Sequence, residues 1–237
     1  MFKKNLLFIS LFSVLNFSAF ADEVNPKVAV ERQVAVNQLV TVKSPQKLAL
    51  VKQALMQKVA QLSAFSASFT QKVVDADGNS IQENSGNLAV AKPNLLHWQV
   101  NEPNESLIIS DGKALWLYDP FIEQVSVYAT DGAITNTPIL LLANPDKSIW
   151  QNYDVKLLKK NHYLILSKDE NSQVKSLELV FNESDENSHS SLNEFVILDA
   201  TGQLSRVFLS QVKTLNADNS QLFTFIPPNG VEVDDQR

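Results

Sequence analysis

From Phe65 onward, apolar residues fall at every second position in one short segment after another, and that period limits the folds open to the chain. Phe65, Ala67, Phe69, Gln71 and Val73 alternate with Ser66, Ser68, Thr70 and Lys72. A period of two puts successive side chains on opposite faces, so this is a strand with one inner and one outer face. Asp75-Ala76-Asp77-Gly78 reads as a turn. The pattern resumes at Leu88 and Val90, at Leu96, Trp98 and Val100, at Leu107 to Ile109, at Ala114 to Tyr118 and at Glu123 to Tyr128. Asp111-Gly112 is a hairpin signal between two of these segments. Further strands are expected at Tyr153 to Leu158, Tyr163 to Ser167, Val174 to Phe181, Phe195 to Leu198 and Gln203 to Leu215. Asp185 to Ser191 reads as an exposed loop, and Phe223 and Phe225 end the sheet before Pro227-Pro228. About ten or eleven short strands in meander order predict an α+β, mainly antiparallel β fold built on one large curved sheet.

Two segments break the period. Ser44-Pro45 combines a good N-cap with a favoured first helical residue. Leu48, Val51, Leu55, Val59 and Leu62 then recur at helical spacing, which predicts an amphipathic helix of about four turns. Thr137-Pro138 starts and Asn144-Pro145 stops a second, shorter helix. Its core, Ile139-Leu140-Leu141-Leu142, has no polar face and must be covered on most sides or touch an apolar ligand. Two such segments can lie as a lid over the concave side of the sheet. A lid fills space less well than a second sheet, which leaves room for an apolar occupant. The same stripes also fit an ordinary packed core, and periodicity alone favours that reading.

The first 21 residues stand apart. Lys3 and Lys4 precede the apolar stretch Leu6 to Phe17, and Ala19-Phe20-Ala21 offers small residues at the positions a signal peptidase reads. This is the pattern of a cleaved export signal, too short for a comfortable membrane span. The expected organisation is a signal peptide at 1–21, a valine-rich N-terminal extension of unassigned role at 22–43, and one domain at 44–237. The chain has no cysteine, so it is not itself lipid-modified at one and has no disulfide, thiol catalysis or thiolate metal site. Without residues 1–21 it keeps 18 basic residues against 26 acidic ones, a net charge of -8. That disfavours nucleic acid as a partner and passive adhesion to anionic membranes.

No residues assemble into a recognisable catalytic pattern. His97, His162 and His189 are far apart and lack metal-ligand spacing. There is no G-x-S-x-G, P-loop or G-x-G-x-x-G run. Asp111-Gly112 and Asp131-Gly132 read as turns, and Asp185-Glu186 and Asp234-Asp235 as solvated surface. The reading is a binding protein with no cofactor and no metal, not an enzyme.

Specific strings carry this further. Ala64-Phe65-Ser66-Ala67-Ser68-Phe69-Thr70-Gln71-Lys72, Lys92-Pro93-Asn94-Leu95 with Trp98, and the run from Ser110 to Gln124 follow one another in order. Asn136-Thr137-Pro138 with its apolar segment comes next, and Phe223-Thr224-Phe225 with Pro227-Pro228 and Gly230-Val231 closes the series. From about residue 46 to the C-terminus these strings resemble the LolA family, the periplasmic lipoprotein carriers of Gram-negative bacteria. The resemblance implies an incomplete, half-open barrel of about eleven strands with a helical lid over an apolar cavity. It implies a monomeric periplasmic carrier that takes triacylated lipoproteins from an inner-membrane ABC release complex (LolCDE-like) to an outer-membrane acceptor (LolB-like). It places Phe65, Phe69, Leu88, Val90, Leu96, Trp98, Val100, Ile139 and Leu140 around the acyl chains. In the family an arginine at the cavity mouth ties the lid to backbone groups. Here that position is Lys92, with Gln82, Val59, Leu142 and Ala143 as the implied partners. Lysine keeps the charge and loses the planar fork of donors, so a looser lock is expected. Leu96 and Ala89 also stand where relatives carry aromatic side chains. The competing readings are a periplasmic lipid-sensing regulatory subunit on the same half-barrel, which would normally need a second domain, and a purely structural envelope adaptor with a dry interior.

Overall fold

A computed structural model describes residues 45–130, 138–144, 146–182 and 191–237. The export segment, the valine-rich extension, the Ser44 cap, Asp131-Gly132, Asn136-Thr137, Pro145, His189 and most of the Asp185 to Ser191 loop lie outside these residues.

Helix α1 spans Pro45–Gln61. Its stripe packs against the core from Val51 onward. Leu55 and Val59 are buried, whereas Leu48 is exposed at the N-terminal end. Chain reversal after Leu62 leads into the sheet. Its strands are β1 (Phe65–Val74), β2 (Ser80–Ala91), β3 (Leu95–Val100), β4 (Ser106–Asp111), β5 (Ala114–Asp119), β6 (Gln124–Ala129), β7 (Tyr153–Lys159), β8 (His162–Ser167), β9 (Val174–Phe181), β10 (Leu192–Asp199), β11 (Leu204–Thr214) and β12 (Glu232–Asp235). All join one 12-stranded sheet in the order β12-β6-β5-β4-β3-β2-β1-β11-β10-β9-β8-β7. Two meanders therefore meet where β1 pairs antiparallel with β11. Among the described residues β12 and β7 are the two edges, so the sheet curls without closing.

Two expectations need correction. The sheet ends at β12, not at Phe223 and Phe225. β12 pairs parallel to β6, with Val233 opposite Val125. Its sequence Glu-Val-Asp-Asp has a single apolar residue, too little for a period of two to register. Phe223 instead closes a 3-10 helix, Ala217–Phe223, that crosses β3 and β4. The apolar segment after β6 is also a 3-10 helix, Pro138–Leu142, followed by a second at Lys147–Asn152. Five residues hemmed by Asn144 and Asp146 are too few to propagate an α-helix, and short 3-10 turns commonly serve at such lengths.

The alternation gives the sheet two faces with different cover. On the concave side, one cluster runs from Phe65, Phe69 and Leu88 through Trp98 to Tyr163, Leu179 and Phe195, and takes in α1 and the segment 139–143. On the convex side, Ala114, Val125 and Val127 form a smaller cluster under Trp116, Tyr118, Phe225 and Val231. Phe225 holds the C-terminal segment there, with ring centroids 5.7 Å from Trp116 and 5.8 Å from Tyr118.

Candidate functional site

Strand register stacks the concave residues in layers. Phe65, Val90 and Leu96 lie side by side on β1, β2 and β3, and Ala67, Leu88 and Trp98 form the next layer. Phe69, Gly86 and Val100 form the third. The structure therefore brings together the nine residues expected around the acyl chains. Phe65, Phe69, Leu88, Val90, Leu96, Trp98, Val100, Ile139 and Leu140 all belong to one cluster, and none is more than 6% exposed.

The curl of the sheet shows in its aromatic contacts. Phe69 on β1 stacks on Trp98 on β3, with centroids 4.1 Å apart. Trp98 also meets Phe195 edge-on at 5.9 Å. Phe195 belongs to β10, and β2, β1 and β11 intervene in the sheet. Opposite walls thus touch through Trp98. Gly86 is what lets the Phe69 ring lie flat. A Cβ there would sit 2.6 Å from Phe69 Cζ and collide with the carbonyl oxygen of Gln99.

The lid consists of the C-terminal half of α1 and the 139–143 segment. Ile139, Leu140, Leu141, Leu142 and Ala143 are all 3% exposed or less. The β2–β3 turn holds both parts. Lys92 Nζ donates to the carbonyl oxygens of Val59 at 2.9 Å, Ala60 at 2.9 Å and Leu62 at 3.3 Å. Val59 and Ala60 belong to the last helical turn and Leu62 follows it, at the negative end of the helix dipole; the Val59 oxygen also accepts from the Leu62 N–H at 3.2 Å. Burial without a carboxylate partner keeps the Lys92 pKa below the usual lysine value. Two residues on, the Asn94 backbone N–H donates to Ala143 O at 2.9 Å. Asn94 takes a left-handed φ of 56° that asparagine tolerates, and its own carbonyl accepts from Ser110 Oγ at 2.5 Å. At the other end of the lid, Lys52 Nζ donates to Tyr153 O at 2.9 Å and pins α1 to the edge strand β7.

The implied lock is therefore rearranged. Val59 is a Lys92 partner, but Gln82, Leu142 and Ala143 are not. Gln82 stands ten residues along β2 from Lys92, about 30 Å at strand rise, and donates to Asn84 Oδ1 at 3.3 Å. Ala143 is held by the Asn94 backbone instead, and a short point charge does not span both lid segments as a forked side chain can. Ala60, Leu62 and Asn94 escaped the sequence reading because backbone groups leave no mark in sequence, and Ser110 because its hydroxyl serves a main-chain carbonyl 16 residues away. His97 and His162 lie elsewhere. His97 Nδ1 contacts Leu222 O at 2.8 Å under the C-terminal segment, and His162 Nε2 contacts Glu178 Oε2 at 2.7 Å.

With this geometry in place, comparison with known proteins decides the family. A family model described as outer membrane lipoprotein carrier protein LolA matches residues 60–226. The chain belongs to the LolA family. An outer-membrane lipoprotein carrier protein of Aeromonas salmonicida (strain A449) is 36% identical over 208 residues, spanning 88% of this chain and 100% of the relative. Its counterpart in Proteus mirabilis (strain HI4320) is 39% identical over 186 residues, spanning 78% of this chain and 89% of the relative. Among solved structures, a LolA superfamily protein from Nitrosomonas europaea overlaps at a TM-score of 0.44 with 12% identity, covering 74% of this chain and 98% of that one. That overlap is too loose to carry an argument.

Proposed function

We propose that this chain is a periplasmic chaperone that shelters the acyl chains of lipoproteins and carries them towards the outer membrane. The observation that carries the reading is a single apolar interior, walled by a half-closed sheet and shut by two clasped segments, in a chain of the LolA family. Each methylene kept from water is worth about 0.8 kcal/mol, so three acyl chains resist transfer into water by on the order of tens of kcal/mol. A lipoprotein needs such a shelter to cross an aqueous compartment. The interior has the chemistry for it, and the clasp gives a way to open and reseal.

In this reading, cargo is a triacylated lipoprotein, loading is driven by an inner-membrane ABC release complex, and unloading goes to an outer-membrane acceptor that binds the chains more tightly. The carrier works as a monomer and without a cofactor. It catalyses no covalent step, and direction comes from graded affinity. Residues 1–21 direct export and are removed, residues 22–43 are an extension, and 44–237 form the carrier domain. Phe65, Phe69, Leu88, Val90, Leu96, Trp98, Val100, Ile139 and Leu140 face the acyl chains, and Lys92 with Val59 belongs to the lid clasp.

The test is a release assay. Spheroplasts bearing newly made lipoproteins are incubated with the purified chain, and the supernatant is fractionated. The expected result is soluble lipoprotein co-eluting with the carrier. Lipoproteins that stay with the membrane at every carrier concentration would refute the proposal. N-terminal sequencing of the exported protein checks the processing site, with Asp22 expected first.

A further inference from the structure

The concave face is not apolar along its whole depth. Moving along β1 away from the lid, the inward residues are Phe65, Ala67, Phe69, then Gln71, which is only 2% exposed, and finally the buried Val73. Its amide is engaged on both sides. Nε2 donates to Ser205 Oγ on β11 at 2.7 Å, and Oε1 accepts from Asn84 Nδ2 on β2 at 2.9 Å. Asn84 Oδ1 in turn accepts from Gln82 Nε2 at 3.3 Å and from Asn104 Nδ2 at 3.0 Å. Ser205 is 3% exposed. Side chains from the neighbouring strands β11, β1 and β2 and from the β3–β4 loop thus make a bonded polar row, buried at Gln71 and Ser205, half-buried at Asn84 and Gln82 and exposed at Asn104. A buried amide is tolerated where its hydrogen bonds are complete, and separating it from its partners incurs its desolvation penalty. A hydrocarbon chain offers nothing in exchange.

We infer that this row is the floor of the acyl-chain compartment and sets the longest chain the protein can bury with its lid shut. The inference rests on the lipoprotein-carrier reading above. Phe65 and Gln71 are six residues apart on β1, about 20 Å at 3.3 Å per residue. The chains of one bilayer leaflet fill half of a hydrocarbon core of about 30 Å. A chain of membrane length matches that span once the Trp98 ring that bridges the two walls swings aside, and one several methylenes longer meets the row. Gln71 and Ser205 are then specificity-determining side chains. Asn84 is a positioning residue that fixes the Gln71 amide.

The test uses the full mature chain and synthetic triacylated cysteinyl peptides whose acyl chains run from shorter to longer than those of membrane lipids. Binding is followed by tryptophan fluorescence. In the unaltered protein, affinity should rise about fourfold for each methylene buried and then stop rising near membrane length. Gln71→Leu should move that break to longer chains. Asn84→Leu, at a half-buried position that tolerates replacement, should move it in the same direction, and it carries the test if Gln71→Leu does not fold. A break that stays in place in folded variants overturns the floor and leaves the carrier reading intact. Failure of the unaltered protein to bind any of the peptides overturns the carrier reading itself.

Discussion

The ammonium of Lys92 sits 2.9 Å from the carbonyl oxygen of Val59, in the last turn of α1. The charge that fastens the lid is thus also a helix C-cap, and its removal acts on both roles. Lys92→Met should lower stability by about 1 kcal/mol and speed amide exchange in the last turns of α1 more than in β1. Lys92→Arg keeps the charge and adds donors in a fork, so the same amides should exchange more slowly than in the native chain. Equal exchange in all three proteins would remove Lys92 from the clasp.

Ser110 supports the second half of the clasp. It is fully buried and donates to the carbonyl of Asn94, whose N–H holds Ala143. Ser110→Ala leaves that carbonyl without its partner, at an expected loss of about 1–2 kcal/mol in urea melts. Proteolysis within 138–144 should accelerate, with α1 protected as before. Asn94→Gly should be mild, because glycine accepts the left-handed backbone, and Asn94→Val should be severe.

At Gly86 the neighbouring strand and ring leave no room for a side chain. Gly86→Ala places a methyl 2.6 Å from Phe69 Cζ and against the Gln99 carbonyl. Overpacking of this kind costs about 1–3 kcal/mol, and the backbone clash adds to it. The Phe69–Trp98 stack should loosen and the tryptophan emission shift. Adding Phe69→Leu should recover part of the stability, and a double variant no better than the single one would mean that the ring is not what Gly86 accommodates.

Acid should act through Asp111. Its burial alone would raise the pKa, but bonds from the Ala114 and Lys113 amides and from Trp116 Nε1 outweigh this and hold it below 3.8. With the folded pKa depressed, the unfolded chain takes up the proton first as pH falls. Asp111's contribution is present above the ordinary value, declines as pH drops through it, and is gone below the folded pKa. Asp111→Asn should flatten that part of the stability–pH profile, measured by urea melts across the acid range.

Much of this was legible in sequence because alternation is a direct image of a two-faced sheet. Phe65, Phe69, Leu88 and Trp98 fall on the concave face as their phase demands. β12 was illegible because Glu232, Asp234 and Asp235 mask its single valine and because it pairs parallel to a strand far earlier in the chain. The clasp was half legible. Lys92 is a charge beside an apolar run, but which carbonyls it reaches depends on where α1 ends. Asn94 acts through its main chain, which every residue shares. Gln71 announced itself only as a polar residue in an apolar phase, and its partner Ser205 is 134 positions away.

Lys92 and Asn94 belong to one short turn yet restrain different parts of the cover, the first through a mobile side-chain cation and the second through rigid main chain. A protein arriving at that corner need not pry at the greasy segments. A carboxylate offered to that cation loosens one tie on the long helix, which Lys52 still holds to the edge strand, whereas bending the turn loosens both segments at once. One corner thus governs two restraints of different reach.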